Sequence, residues 1–225
     1  MKLTKVQITL LDILKQFSLQ NKFYWTGGTL LAYHYLHHRY SYDLDFFSGS
    51  QFSYQELIPY LEAVKKHFND VKIEEHKIID RWELIIHTQK ETTRIEFVWY
   101  KHEKKRIRPL ENLQGINIDS LDDIAANKTM AYFDRNEPKD LFDLYTLLTN
   151  KNYTVQQLLN FEEQKFGAKF TESMFWTESA KILPLLNALN PYIIADNNSS
   201  KQLILKKIKE YFLKKGGKYI ESLLE

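Results

Sequence analysis

Val6, Leu10, Ile13, Leu14 and Phe17 recur at the spacing of one helix face, so residues 5–20 are predicted as an amphipathic helix. Phe23, Tyr24 and Trp25 then read as a strand, because aromatics suit a pleated surface. Gly27 and Gly28 break it, and residues 29–38 regain helical character. Residues 42–47 alternate as a second strand, sending Asp43 and Asp45 to one face and Leu44 and Phe46 to the other. Ser53 followed by Glu56 is a capping-box pattern, opening a helix whose apolar face carries Leu57, Leu61, Val64 and Phe68. Three strand-like runs follow, over residues 71–79, 82–88 and 93–100. The first half is thus expected to be α+β, with helices packed on one sheet. From about residues 117–120 the pattern changes, and no convincing strand follows. Ser120 with Asp123 opens a helix to about Asp134, and Pro138 stands at the first position of another that runs through Leu148. Thr154 with Gln157 and Ser199 with Gln202 start later helices, with residues 197–200 read as a loop. The expected division is therefore 1–118 for the mixed domain and 119–225 for a helical one.

Composition narrows the classes. A chain of 225 residues with 44% hydrophobic and 27% charged positions can bury a sizeable core. A net charge of +2 gives no global nucleic-acid signature, so any RNA contact must come from a local patch. The absence of cysteine excludes disulfides, thiolate catalysis and cysteine zinc sites. The N-terminus lacks the small-residue cleavage site of a signal peptide, and no run approaches the roughly 18 apolar residues of a membrane span. A cytoplasmic protein without a membrane partner is the expectation.

Chemistry concentrates in residues 23–47. The Gly27-Gly28-Thr29 turn lets a ligand approach the backbone and presents N–H groups at a helix start, which suits phosphate. Asp43 and Asp45, like charges on one face, repel unless a cation lies between them, and hard oxygen ligands beside phosphate suit magnesium. The plainer reading is two solvated aspartates at a strand end. Two-metal transfer to a hydroxyl wants a third carboxylate on a neighbouring strand. Glu96, between Ile95 and Phe97 but on the opposite face, is the choice, and Glu83 in RWELIIH shows the same local pattern. The run KHEKKRIRP, residues 101–109, holds Lys101, Lys104, Lys105, Arg106 and Arg108 near the Glu96 strand, a candidate surface for a polyanion. A second cluster, from Lys206 to Lys218, reads as a solvated face. His34, His37 and His38 share helical spacing but lack cysteine or a His-Glu partner, so packing explains them better than zinc.

The stretch GGTLLAYHYLHHRYSYDLDFF resembles the nucleotidyltransferase superfamily with the DNA polymerase β-like fold: a Gly-Gly turn, a short helix, then Asp-x-Asp on the next strand. It is similar in particular to the AbiEii/AbiGii type IV toxin family, where HR-x-S-x-D-x-D-F recurs and takes in His38, Arg39 and Ser41. KTMAYFDRNEPKDLFDLYTLL resembles that family's second motif, K-x-x-A-x-x-x-R then K-D-x-x-D-L, through Lys128, Arg135, Lys139, Asp140 and Asp143. The likeness covers about residues 23–148. It implies a magnesium-dependent transfer of NMP from an NTP to an acceptor hydroxyl, with pyrophosphate leaving. Asp43, Asp45 and Glu96 would hold one metal, and the two aspartates a second. The superfamily's placement of its third acid favours Glu96 over Glu83. Gly27, Gly28 and Thr29 would hold the phosphates, with Ser41 and Arg135 in the nucleotide site. Arg39 would meet phosphate or brace Asp43. Lys128 would grip the triphosphate from a helical domain that completes the nucleotide site, and Asp143 would orient Lys128 or the base. A purely structural salt-bridged helix pair stands beside that role. The resemblance further implies a tRNA 3′ end as acceptor and a cognate antitoxin. The alternatives are an antibiotic-modifying nucleotidyltransferase with a small hydroxylated acceptor, and a non-catalytic nucleotide-binding module.

Overall fold

The computed structural model describes residues 1–102 and 104–224, and the chain divides into two compact units. The second unit is the chain from Asp122 onward together with two short borrowed segments, His38–Tyr40 and Lys104–Ile107. The first is the remainder.

In the first unit, Thr4 caps α1 (Lys5–Leu14) in a full capping box with Gln7, and the helix buries Val6, Leu10, Leu11, Ile13 and Leu14. The helix is shorter than its periodicity suggests; the chain turns and restarts as the one-turn α2 (Leu19–Lys22). β1 (Tyr24–Thr26) leads directly into α3 (Gly27–Leu30) and a π-helical stretch, Leu31–Leu36, that ends where His37 adopts a left-handed φ of 54°. A π-helical register where an α-helix was expected is a feature often found near functional sites. β2 (Leu44–Ser48) follows, then α4 (Tyr54–His67), whose Ser53–Glu56 capping box forms as expected. β3 (Lys72–Ile78), β4 (Arg81–His87) and β5 (Thr92–Trp99) lie within two residues of their predicted runs. Two short strands were not expected: β6 (Glu111–Leu113) and β7 (Ile116–Ile118), joined through Gln114 and Gly115, both at positive φ. At three residues each they are too short to show an alternation.

The sheet order is β3-β4-β5-β2-β1-β7-β6. β2 runs antiparallel to β1 and parallel to β5, and β7 joins parallel to β1. Leu44, Phe46, Leu84, Ile86, Ile95 and Phe97 are fully buried on one face, where Tyr60 of α4 meets the Phe97 ring at 5.8 Å. The opposite face of the same strands carries the polar partners, as the alternation requires.

The second unit is helical among its described residues. Its helices are α5 (Leu121–Arg135), α6 (Pro138–Asn150), α7 (Val155–Phe166), α8 (Glu172–Ile182) and α9 (Asn198–Ser222), with a 3-10 stretch over Leu183–Leu189. Pro138 opens α6, and the Thr154–Gln157 box opens α7. α8, capped by Thr171, was not anticipated. Residues 197–200 form the start of α9 rather than a loop, because the Asn197 side chain accepts from the Ser200 N–H. Aromatic rings knit the interior: Tyr132 to Phe175 at 5.1 Å, and Phe175 to Phe212 at 6.4 Å.

Candidate active site

Strand pairing sets the carboxylates side by side. Across β1, β2, β5 and β4 the directly opposed residues are Thr26, Asp45, Glu96 and Glu83. Residues opposed in this way share a face at a strand spacing of about 4.8 Å. Leu44 pairs with Ile95, so Asp43 sits one step beyond the strand, beside Arg94. All three predicted acids therefore lie on the polar face, and Glu83 adjoins Glu96 instead of replacing it. Glu96 is 8% exposed.

Gly27 explains how Asp45 is seated. Its φ is +79°, and a Cβ there would fall 2.0 Å from the Asp45 carboxylate Oδ2. Glycine is thus required twice over, for backbone conformation and for room. Thr29 is fully buried and its hydroxyl donates to Ser41 Oγ at 2.9 Å, so this pair braces the turn from inside instead of presenting a free hydroxyl. Below β1, the buried Thr26 hydroxyl donates to Asp119 Oδ2 at 2.7 Å. Asp119 has no sequence signal beyond its place at the end of a strand too short to recognise.

Arg94 was also missed. Its guanidinium donates to Asp43 at 2.5 Å and approaches Glu96 at 3.4 Å and Glu83 at 3.5 Å. Arg81 reaches Glu96 from the other side at 3.4 Å. Partial burial works against the Arg94 charge, but the bond to Asp43 and the fields of Asp43, Glu96 and Asp45 outweigh it and raise its pKa. Among the described residues no three His, Asp or Glu side chains are gathered closely enough to grip a metal ion as they stand. The donor set nonetheless fits magnesium: hard carboxylate oxygens from Asp43, Asp45 and Glu96, on one face, in adjoining strands, already holding a cation in the form of Arg94.

In the second unit the other predicted residues form one buried ion network. Asp143 is fully buried on α6; Arg39 clasps both its oxygens at 2.7 and 2.9 Å, and Lys128 reaches it at 2.8 Å. Lys128 also meets Asp140 at 3.1 Å, and Arg135 forks onto Asp140 at 2.7 and 2.9 Å. Burial alone would raise the Asp143 pKa, but Arg39 and Lys128 hold it well below the carboxylate range. Burial lowers the His38 pKa, and because an ionised carboxylate only accepts, the ring donates from Nε2 to Asp143 Oδ1 at 2.6 Å. Arg39 is therefore committed to Asp143 and 3% exposed, and Lys128 is 6% exposed. The motif H-R and the motif K-D-x-x-D are two halves of one network. A further buried ion pair was unforeseen: Lys165 Nζ, fully buried, pairs with Asp123 at 2.9 Å, while the Ile107 N–H also donates to Asp123.

Of the basic run, Lys101 pairs with Asp80 and lies over the Trp99 ring, and Lys104 and Lys105 are exposed; Glu103 lies outside the described residues. Among the described residues no helix is long and apolar enough to cross a membrane.

A glycine turn pressed against an aspartate, with a glutamate opposite it on the parallel neighbour strand of an α+β fold, is the arrangement that the resemblance to nucleotidyltransferases implies. Comparison with known proteins makes this specific. The model of the nucleotidyl transferase AbiEii toxin, type IV TA system, matches residues 9–211, and the chain belongs to that family. An uncharacterized Aquifex aeolicus protein, aq_aa25, is 24% identical over 237 residues, covering 98% of this chain and 99% of its own. The crystal structure of JHP933 from Helicobacter pylori superposes with a TM-score of 0.57 at 19% identity, covering 99% of this chain and 98% of that one. A second H. pylori structure matches at the same TM-score and identity, with 96% and 95% covered. At these identities the structures share the fold.

Proposed function

We propose that the chain moves an NMP from an NTP to a hydroxyl at the 3′ end of an RNA, a tRNA in the first place, as the toxin of a type IV system with a cognate antitoxin in the cytoplasm. The observation that carries this reading is the seating of Asp45: wedged against left-handed Gly27 and paired in register with Glu96, with Asp43 two residues upstream on the same face. Asp43, Asp45 and Glu96 would hold magnesium, which when bound would supply the charge that lowers the acceptor hydroxyl's pKa and offsets that of the leaving pyrophosphate.

The chain's own residues do the placing. Gly27 brings backbone next to Asp45, where a triphosphate would meet the carboxylates with Gly28 following in the same turn, and the Thr29–Ser41 bond fixes that turn. Arg81 anchors one oxygen of Glu96 and leaves the other turned toward Arg94. The Asp143 network keeps Arg39, Lys128 and Arg135 in a fixed array. Lys101, Lys104 and Lys105 offer exposed charge to an RNA backbone, so binding should weaken with salt as counterions are displaced.

The test is to incubate protein, magnesium and total RNA with each α-labelled NTP, beside RNA whose 3′ ends have been oxidised by periodate. Label on intact tRNA but not on oxidised RNA supports the reading. Label on an aminoglycoside or a protein side chain, with none on RNA, overturns the acceptor.

A further inference from the structure

Arg94 stands where a metal ion would have to work, and nothing in the transfer chemistry requires a guanidinium there. It lies on β5 two residues before Glu96, hence on the same face, opposite Ile85 on one side and, by extension of the β2 register, beside Asp43 on the other. One monovalent side chain serves Asp43 at 2.5 Å, Glu96 at 3.4 Å and Glu83 at 3.5 Å. Only the first is a close bond. The other two are long contacts of a charge shared among anions.

We propose that Arg94 is a built-in counter-cation: it holds the carboxylate row together in the metal-free protein and must swing away before a divalent cation can bind. The proposal rests on the metal reading given above. Three observations favour exchange over a fixed structural bridge. The Arg94 side chain is 41% exposed and that of Asp43 39%, in contrast to the Arg39–Asp143 pair at 3% and 0%. Ion pairs this exposed hold weakly, so release into solvent costs little. Arg81 also reaches Glu96, from the other side at 3.4 Å, so a second cation is within range of Glu96 when Arg94 leaves. Finally, a divalent ion with hard oxygen ligands answers the charge of several carboxylates better than one guanidinium does. The consequence is competition. Metal affinity is lowered by the cost of displacing Arg94, and the empty site is protected from its own repulsion.

The experiment measures Mn2+ binding by loss of the free-ion paramagnetic resonance signal, together with metal-free thermal melts, for wild type, Arg94→Gln, Arg94→Lys and Asp45→Asn. Arg94→Gln should melt lower without metal and bind Mn2+ at least about 5-fold tighter than wild type. Arg94→Lys, which keeps the charge but not the fork, should fall between them and remains available if the glutamine variant does not fold. If wild type binds Mn2+, Asp45→Asn does not, and the Arg94 variants bind equally or more weakly, the counter-cation role is overturned while the metal site stands. If no variant binds Mn2+, or if Asp45→Asn binds as wild type does, the metal reading fails and takes this inference with it.

Discussion

Replacing Asp143 by alanine is the most informative perturbation of the helical unit. Asp143 is fully buried and takes four contacts from three side chains: Arg39 at 2.7 and 2.9 Å, Lys128 at 2.8 Å and His38 at 2.6 Å. Its removal strands the buried Arg39 guanidinium with its bond to the Tyr40 carbonyl, and leaves Lys128 with Asp140. Breaking one partner of a buried pair costs about 3–5 kcal/mol, because the remaining charge is desolvated without compensation. Arg135→Ala is the control. Its side chain is 47% exposed and the buried Asp140 keeps Lys128, so the expected loss is smaller, about 1–3 kcal/mol. Urea unfolding followed by circular dichroism reads both. The sign with pH is also fixed. Because the Asp143 pKa is depressed, its contribution is present above the unfolded carboxylate range and is lost as pH falls through the depressed folded value. The gap between wild type and Asp143→Ala should therefore close in strong acid. Replacing Arg39, Lys128 and Asp143 together with apolar residues of like size should recover much of the loss. Asp143→Ala unfolding within about 0.5 kcal/mol of wild type at neutral pH would refute the reasoning, since that is the range of ordinary surface changes.

Gly27→Ala should reduce transfer far more than it reduces stability: the left-handed conformation costs about 1–2 kcal/mol, while the new Cβ pushes the Asp45 carboxylate off its seat. Equal kcat/KM in a variant that melts lower would contradict this. Glu96→Gln should lower transfer roughly 100-fold or more, at or beyond the upper end for partners that merely orient ligands, and Glu83→Gln should cost little; the reverse order in kcat would move the third ligand to β4. Glu162 on α7 is fully buried with neither carboxylate oxygen partnered among the described residues, and burial first, then Glu163, raise its pKa to about 7. The folded state therefore holds this proton longer than the unfolded chain, and stability falls as pH rises from about 4.5 to 7. Glu162→Gln should flatten that slope in denaturant titrations; an unchanged slope would place the proton elsewhere.

The acids were legible because two periodicities coincide on them. Leu44 and Phe46 had to face the core, and so did Ile95 and Phe97, which left Asp43, Asp45 and Glu96 on the other face. The strand register that puts Asp45 opposite Glu96 was not legible, since it depends on a parallel pairing between strands far apart in the chain. Arg39 illustrates a different limit. It sits two residues from Ser41 and four from Asp43, yet its place is decided by α6, a hundred residues on, and by the backbone hydrogen bond from Tyr40 N to Tyr192 O that ties the segment there. Local sequence records that a charge is present, not which buried counter-charge claims it. β6 and β7 were missed because three residues carry too little alternation, whereas α8 runs 11 residues and its buried Phe175, Trp176, Ser179 and Ile182 do recur at helical spacing, a signal that was there to be read. The cap of α9 was misplaced because residues 197–200 offer asparagines and serines that all suit an N-cap.

The measurement that bears most directly on the whole account is α-phosphate transfer by wild type against Asp43→Asn and Asp45→Asn, each shown by circular dichroism to be folded. The carboxylate row predicts magnesium-dependent labelling of RNA and release of pyrophosphate by wild type, with neither product formed by the two variants although their helical signal is unchanged. Folded variants that still transfer label at the wild-type rate would contradict it.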